Sequence, residues 1–172
     1  MLVRHAGRVT SSASSAVRSA QPEDLQAVLD VHAHQGSRPE GHASELERET
    51  WQRMMARPDL TVYVADVEDV VVGTATAMMM PNMTYTCAPT LFVEAVVVRP
   101  THRRRGIATA MMQRILADAQ AAGCNKVQLL SHKRHASDGA HRLYSALGFE
   151  PEAEGFRLYL IERPAHVPSG VT

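Results

Sequence analysis

The residues best suited to chemistry are Arg103-Arg104-Arg105-Gly106-Ile107-Ala108, three cations and a glycine followed by helix-forming residues. A turn that runs into a helix points successive backbone N–H groups outward at the helix's positive end. A glycine there removes the side chain that would hold phosphate oxygens off the backbone. The run lacks the lysine and Ser/Thr of a Walker loop and the three glycines of a dinucleotide fingerprint. By itself it is short enough to arise by chance, and three loop arginines also suit a solvated surface. Glu94 is the second candidate, because it interrupts the apolar run Leu91 to Val98. A carboxylate in such a strand is costly to bury unless it has a partner or a task. A locally bonded structural carboxylate and a general base both meet that condition.

The elements that would position these groups follow from pattern. Ala16 to Ala20 reads as a short strand, and Pro22, Glu23 and Asp24 open a helix whose apolar stripe is Leu25, Val28 and Leu29, extended by His32. A second helix spans 44–56, with Ser44 and Glu47 spaced as a capping box. From Leu60 the period changes. Leu60 to Ala65 and Val70 to Met80 predict an antiparallel hairpin, followed by a loop from Pro81 to Pro89. Leu91 to Val98 has the near-continuous apolarity of a strand covered on both faces. Next comes a helix over 106–122, with Ala108, Met112, Ile115 and Ala119 on one stripe and Gly123 as its C-terminal cap. A short strand from Val127 to Leu130, a helix from Asp138 to Leu147 and a last strand from Phe156 to Ile161 complete the set. The expected class is α/β, a mixed, mostly antiparallel central sheet flanked by helices. The phosphate-type loop lies at the carboxyl end of its central strand, where ligands of such sheets bind.

Composition limits the alternatives. The 172 residues suffice for one well-packed domain, read as 16–163, between a flexible N-terminal extension, 1–15, and a C-terminal tail, 164–172. Arg4, Arg8, Arg18 and the serines from Ser11 to Ser15 give the N-terminus the composition of an organellar transit peptide, as well as of an ordinary floppy tail. Eighteen basic residues balance eighteen acidic ones, so no overall field favours nucleic acid or an anionic membrane, and the apolar runs are too short to span a bilayer. Cys87 and Cys124 show neither ligand spacing nor the density of a disulfide framework, which points to a reducing, cytoplasmic setting. Nine histidines lack a metal-ligand frame, so no metal is expected. Met78-Met79-Met80 and Met111-Met112 read as adaptable core filling.

Two motifs at this separation resemble the GNAT superfamily of N-acetyltransferases. Val98-Arg99-Pro100-Thr101-His102 with Arg103 to Ala108 is similar to its strand-loop-helix signature, and Tyr144-Ser145-Ala146-Leu147-Gly148-Phe149 to its second. The likeness extends over the element order from Val17 to Ile161. It implies that acetyl-CoA is the cosubstrate, with its pyrophosphate on the backbone amides of Arg104 to Thr109, and Arg103 to Thr109 as the binding loop. It also implies a splayed parallel strand pair at the cofactor site. Pantetheine would lie in that gap beside Val96, Val97 and Val98. The matching tyrosine, Tyr144, would protonate the coenzyme A sulfur, and Glu94 would act as general base, directly or through water. Helical period alone places Tyr144 with Ala140, Leu143 and Leu147 as a core tyrosine.

The activity implied is transfer of an acetyl group to a primary amine by direct attack in a ternary complex. Two other classes compete: a catalytically idle acyl-CoA-binding regulatory module, which would need neither Glu94 nor Tyr144, and a nucleic-acid binder, which the charge balance and few aromatics oppose. The expected partner is a small-molecule amine rather than a protein N-terminus, and a homodimer is allowed. Specificity should come from His32 to Ser44, Pro81 to Pro89 and Pro151 to Gly155. His34, Arg38 and His42 suit an acidic or phosphonate-bearing amine. The polar run Ser131 to His135 suits a ligand contact or a solvated loop.

Overall fold

The computed structural model describes residues 16–36, 38–132 and 139–160. The expected extension 1–15, the tail 164–172, and Lys133, Arg134, His135 and Asp138 lie outside the described residues. Five strands form one sheet in chain order: β1 (Ala16–Ser19), β2 (Leu60–Val67), β3 (Val70–Met80), β4 (Thr90–Val98) and β5 (Lys126–Leu129). The first three junctions are antiparallel and the last is parallel. The hairpin joining β2 to β3 is tighter than expected. β2 continues to Val67, and only Glu68 and Asp69 turn the chain, both at positive φ, as a two-residue loop matched to strand twist requires.

Helices cover both faces. α1 (Leu25–Ala33) and α2 (Glu45–Met55) lie on one side, where Val28, Val31 and Trp51 pack against Val62, Val64, Val71 and Val97. Pro22 sits in a 3₁₀ turn leading into α1, and the capping box of α2 forms: Glu47 N–H donates to Ser44 Oγ (3.3 Å) and Ser44 N–H to Glu47 Oε2 (2.8 Å). α3 (Ile107–Ala121) covers the other side, burying Ile107, Met111, Met112, Ile115 and Ala119. The two consecutive methionines are core filling as expected, whereas Met78 and Met80 are exposed. α4 (Ala140–Ala146) starts later than the pattern suggested and packs Tyr144 and Leu147 onto the α3-side core.

One expected element is missing. Residues 156–160 form no strand, and Phe156, Leu158 and Leu160 are exposed. Their apolarity expresses a preference for burial, but a strand needs an edge to pair with, and these residues join none among those described.

Arg18 on β1 ties the sheet edge to the start of α1, bonding Asp24 (2.6 Å) and Asp66 on β2 (2.7 Å). The Arg18 guanidinium holds the Asp24 carboxyl below the usual carboxylate range, with the Gln21 N–H assisting against the opposing effect of burial. Because the folded value lies below the unfolded one, this pairing stabilises fully above pH ~4 and is lost as pH falls through the lower, folded value. Asp24→Asn should therefore flatten the acid limb of a plot of Tm against pH. An acid limb of unchanged steepness would show that the pair makes no pH-dependent contribution.

Candidate functional site

The site is built around β4. Its pairing with β5 runs only from Thr90↔Lys126 to Val93↔Leu129, while β4 itself continues to Val98. Among the described residues the β5-facing edge of β4 is therefore unpaired from Glu94 onward, and the parallel pairing of the two strands ends there. A bulge sits at the same place. Thr74 opposes Val97 and Thr76 opposes Glu94, so Ala95 and Val96 are opposed by Ala75 alone, and Ala95 adopts φ 53. Backbone strain of that kind in a central strand is held by the surrounding structure and concentrates at working sites.

The bulge settles where Glu94 points. Gly73 and Val98 are paired, as are Ala77 and Val93; these four lie on the α3 side, where Gly73 allows α3 close approach. An ideal Cβ on Gly73 would meet Met111 Cε at 3.1 Å and Ile107 Cγ2 at 3.3 Å. Thr74, Thr76, Val97 and Glu94 therefore belong to the opposite, α1/α2 side. Glu94 and Ala95 are exposed in the middle of an otherwise largely buried strand. This corrects the expectation of a desolvated carboxylate: the bulge leaves Glu94 exposed where the pairing with β5 ends instead of in the core.

At the carboxyl end of β4, residues 100–102 make a 3₁₀ turn and the chain enters α3 through the arginine run. Gly73 thus lets the first turn of α3 pack closely on the sheet at Ile107. Arg104 (φ 61) and Gly106 (φ 79) are both left-handed, and no side chain caps the helix. The first intrahelical bond is Ala110 N–H to Gly106 O, and the amides from Arg104 to Thr109 have no acceptor among the described residues. Nothing lies within 4 Å of an ideal Cβ on Gly106. A row of donors unused among the described residues at a helix N-terminus, with open space at Gly106, suits a phosphate. The arginines differ in role: Arg103 turns back to donate from Nε to Val98 O (3.1 Å), and Arg104 and Arg105 stand exposed.

Tyr144 is half-buried on α4, its ring edge-on to Phe149 at 5.9 Å between centroids. It belongs to the α3-side cluster that also holds Val93, Val96 and Leu129, residues at or just beyond the end of the β4–β5 pairing. Glu94 and Tyr144 thus lie on opposite faces of the sheet. One turn before Tyr144, His141 Nε2 is buried without a hydrogen-bond partner among the described residues.

On the α1/α2 side, an open cavity of about 450 Å³ is lined by Gln26, Asp30, His34, Glu40, His42 and Arg99, with Ala33 and Gly41. Gln26 fastens its wall, donating to Asp30 Oδ1 (2.7 Å) and Gly41 O (3.1 Å) and accepting from Ala43 N–H (3.0 Å). His34 and His42 line it as the sequence suggested. Arg38 does not; it is committed to Glu47 Oε1 at 3.0 Å. Arg99, given no role of its own in the sequence, takes that place.

Residues 25–149 match the profile described as the acetyltransferase (GNAT) family. A solved structure from Agrobacterium tumefaciens str. C58, provisionally described as an acetyltransferase, superposes with a TM-score of 0.77. It is 31% identical, over 84% of this chain and 99% of its own. A glucosamine 6-phosphate N-acetyltransferase of Trypanosoma brucei brucei is 27% identical over 144 residues, 84% of this chain and 95% of the relative. An aminoglycoside N(6')-acetyltransferase type 1 of Salmonella typhimurium is 25% identical over 114 residues, 64% of this chain and 76% of the relative.

Proposed function

Because the chain belongs to the GNAT acetyltransferase family, we propose that it moves the acetyl group of acetyl-CoA directly onto the primary amine of a small molecule bound beside it. One observation carries this reading: the central strand loses its β5 partner and bulges at Glu94 to Val96, and the same strand ends in an uncapped helix N-terminus. A phosphate anchor and an exposed strand edge leading from it to a carboxylate are what a long phosphorylated thioester and an incoming amine need.

Acetyl-CoA supplies an activated acyl group on sulfur. The amides of Arg104 to Thr109 hold its pyrophosphate, with Arg104 and Arg105 adding charge, and the free edge of Val96 to Val98 offers backbone donors and acceptors to the pantetheine amides. Glu94 removes a proton from the attacking amine, through water because it is exposed, and Tyr144 delivers a proton to the departing sulfur from the α3 side. Each step keeps its proton balance: the amine loses one to Glu94 and the thiolate gains one from Tyr144. The kinds of amine named for the relatives, an amino-sugar phosphate and aminoglycosides, support a small hydroxylated acceptor.

The test is thiol release from acetyl-CoA across a panel of amino sugars, aminoglycosides, amino acids and peptide N-termini. Release that depends on one class of small amine is expected. Tight coenzyme A binding with no amine-dependent release would instead favour the idle acyl-CoA-binding module.

A further inference from the structure

We infer that Arg99 is the specificity anchor of the acceptor site and that the acceptor is a hydroxylated amine carrying a phosphate group. The inference rests on the acetyltransferase reading above and narrows it to one substrate class.

Three observations combine. Arg99 follows Val98 on β4 and lines the α1/α2-side cavity, so it lies on the same face of the sheet as Glu94. Its backbone is fixed by a hydrogen bond from Arg99 N–H to Val72 O (2.8 Å), yet among the described residues its buried Nε has no acceptor and its guanidinium has no carboxylate within ion-pair distance. A buried guanidinium donor without a partner is costly, and an oxyanion entering the cavity would satisfy it bidentately. The rest of the lining is built for a different partner. Asp30 is held by Gln26, and Glu40, His34 and His42 at the rim have no partner among the described residues. Carboxylates accept from hydroxyl groups, so the lining offers acceptors to a hydroxylated body and one strong cation to an anion at its end.

Length narrows the class further. Four residues of bulged strand, Ala95 to Val98, lie between Glu94 and Arg99, on the order of 13–16 Å between their Cα atoms. An acceptor whose amine meets Glu94 and whose anion meets Arg99 must therefore carry the two groups apart, as a sugar-sized ring does. An α-amino acid, whose two charges sit on adjacent atoms, is too short to reach both. A polycationic acceptor would satisfy Asp30 and Glu40 but place positive charge against Arg99.

The decisive measurement is calorimetric binding to the coenzyme A-loaded full chain, with glucosamine and glucosamine 6-phosphate as a pair differing only in the phosphate, and kanamycin as the polycation. Wild type should bind the phosphorylated sugar at least tenfold more tightly than the other two. Arg99→Gln should erase the difference, and Arg99→Lys should keep part of it, which separates lost charge from lost folding. Equal affinities in wild type, preference for kanamycin, or an Arg99→Gln variant that keeps the phosphate preference would each overturn the assignment. Binding and turnover are read separately: a phosphate preference without acetylation would remove the proposed chemistry and leave the anchor, and acetylation without the preference would do the reverse.

Discussion

Replacing Gly106 by valine is expected to raise the dissociation constant of coenzyme A at least ~30-fold, about 2 kcal/mol, while costing the fold only ~1–2 kcal/mol. The two effects have separate origins. Gly106 has φ 79, so any Cβ there carries the left-handed penalty whatever surrounds it. No protein atom lies within 4 Å of the position that Cβ would take, so the fold raises no steric objection. The open space in front of Gly106 is where phosphate oxygens must come to reach the amides of Arg104 to Thr109, and a branched side chain would fill it. Each charge-assisted bond lost there is worth ~1.5–3 kcal/mol. If the loop were an ordinary solvated turn, the same substitution would show the stability cost alone. Titration calorimetry with coenzyme A and thermal denaturation of both proteins separate the outcomes, and an unchanged affinity in a folded valine variant would remove the phosphate assignment.

What could be read in advance divides along physical lines. The Ser44–Glu47 box, the Pro22 start and the α3 stripe are local signals, written within one turn of helix, and each appears where its residues stand. The turn into α3 was legible for the same reason: strand end, turn, glycine and helix are consecutive in the chain. The bulge was not. Alanine at position 95 carries no turn signal, and its left-handed backbone arises from β4 having to match both β3 and a parallel neighbour that stops at Leu129. Missing the bulge made Glu94 look like a carboxylate set into a fully covered strand. Arg99 was missed because a charged residue at a strand end reads as surface; only its place beside α1 shows a buried, unpartnered Nε. The last strand failed in the opposite sense. Its apolar residues announce a wish for burial, but pairing is a property of two segments, and residues 156–160 supply one of them.

Tyr144→Phe should lower kcat about 100-fold, in the range for loss of a general acid, and leave the KM for acetyl-CoA within about threefold. Phenylalanine keeps the packing of the ring: Tyr144 lies against the α3-side cluster and edge-on to Phe149 at an interplanar angle of 67°. The loss should be moderate rather than total, because a thiolate is a tolerable leaving group unprotonated, its conjugate acid having a pKa near ~8.5. Glu94→Gln gives the contrasting signature. Glu94 is exposed at the bulge, so the fold should not notice the change, and the loss should fall on kcat/KM for the amine, about tenfold, since a water chain can partly replace an exposed base. Single-turnover measurements on preloaded acetyl-CoA complexes read both variants at the chemical step. A tyrosine variant with wild-type single-turnover rate would make Tyr144 a packing residue after all. Both variants at wild-type rate would leave positioning by the loop and the cavity as the whole of the catalysis, since a preloaded thioester and a bound amine need only be held together to react.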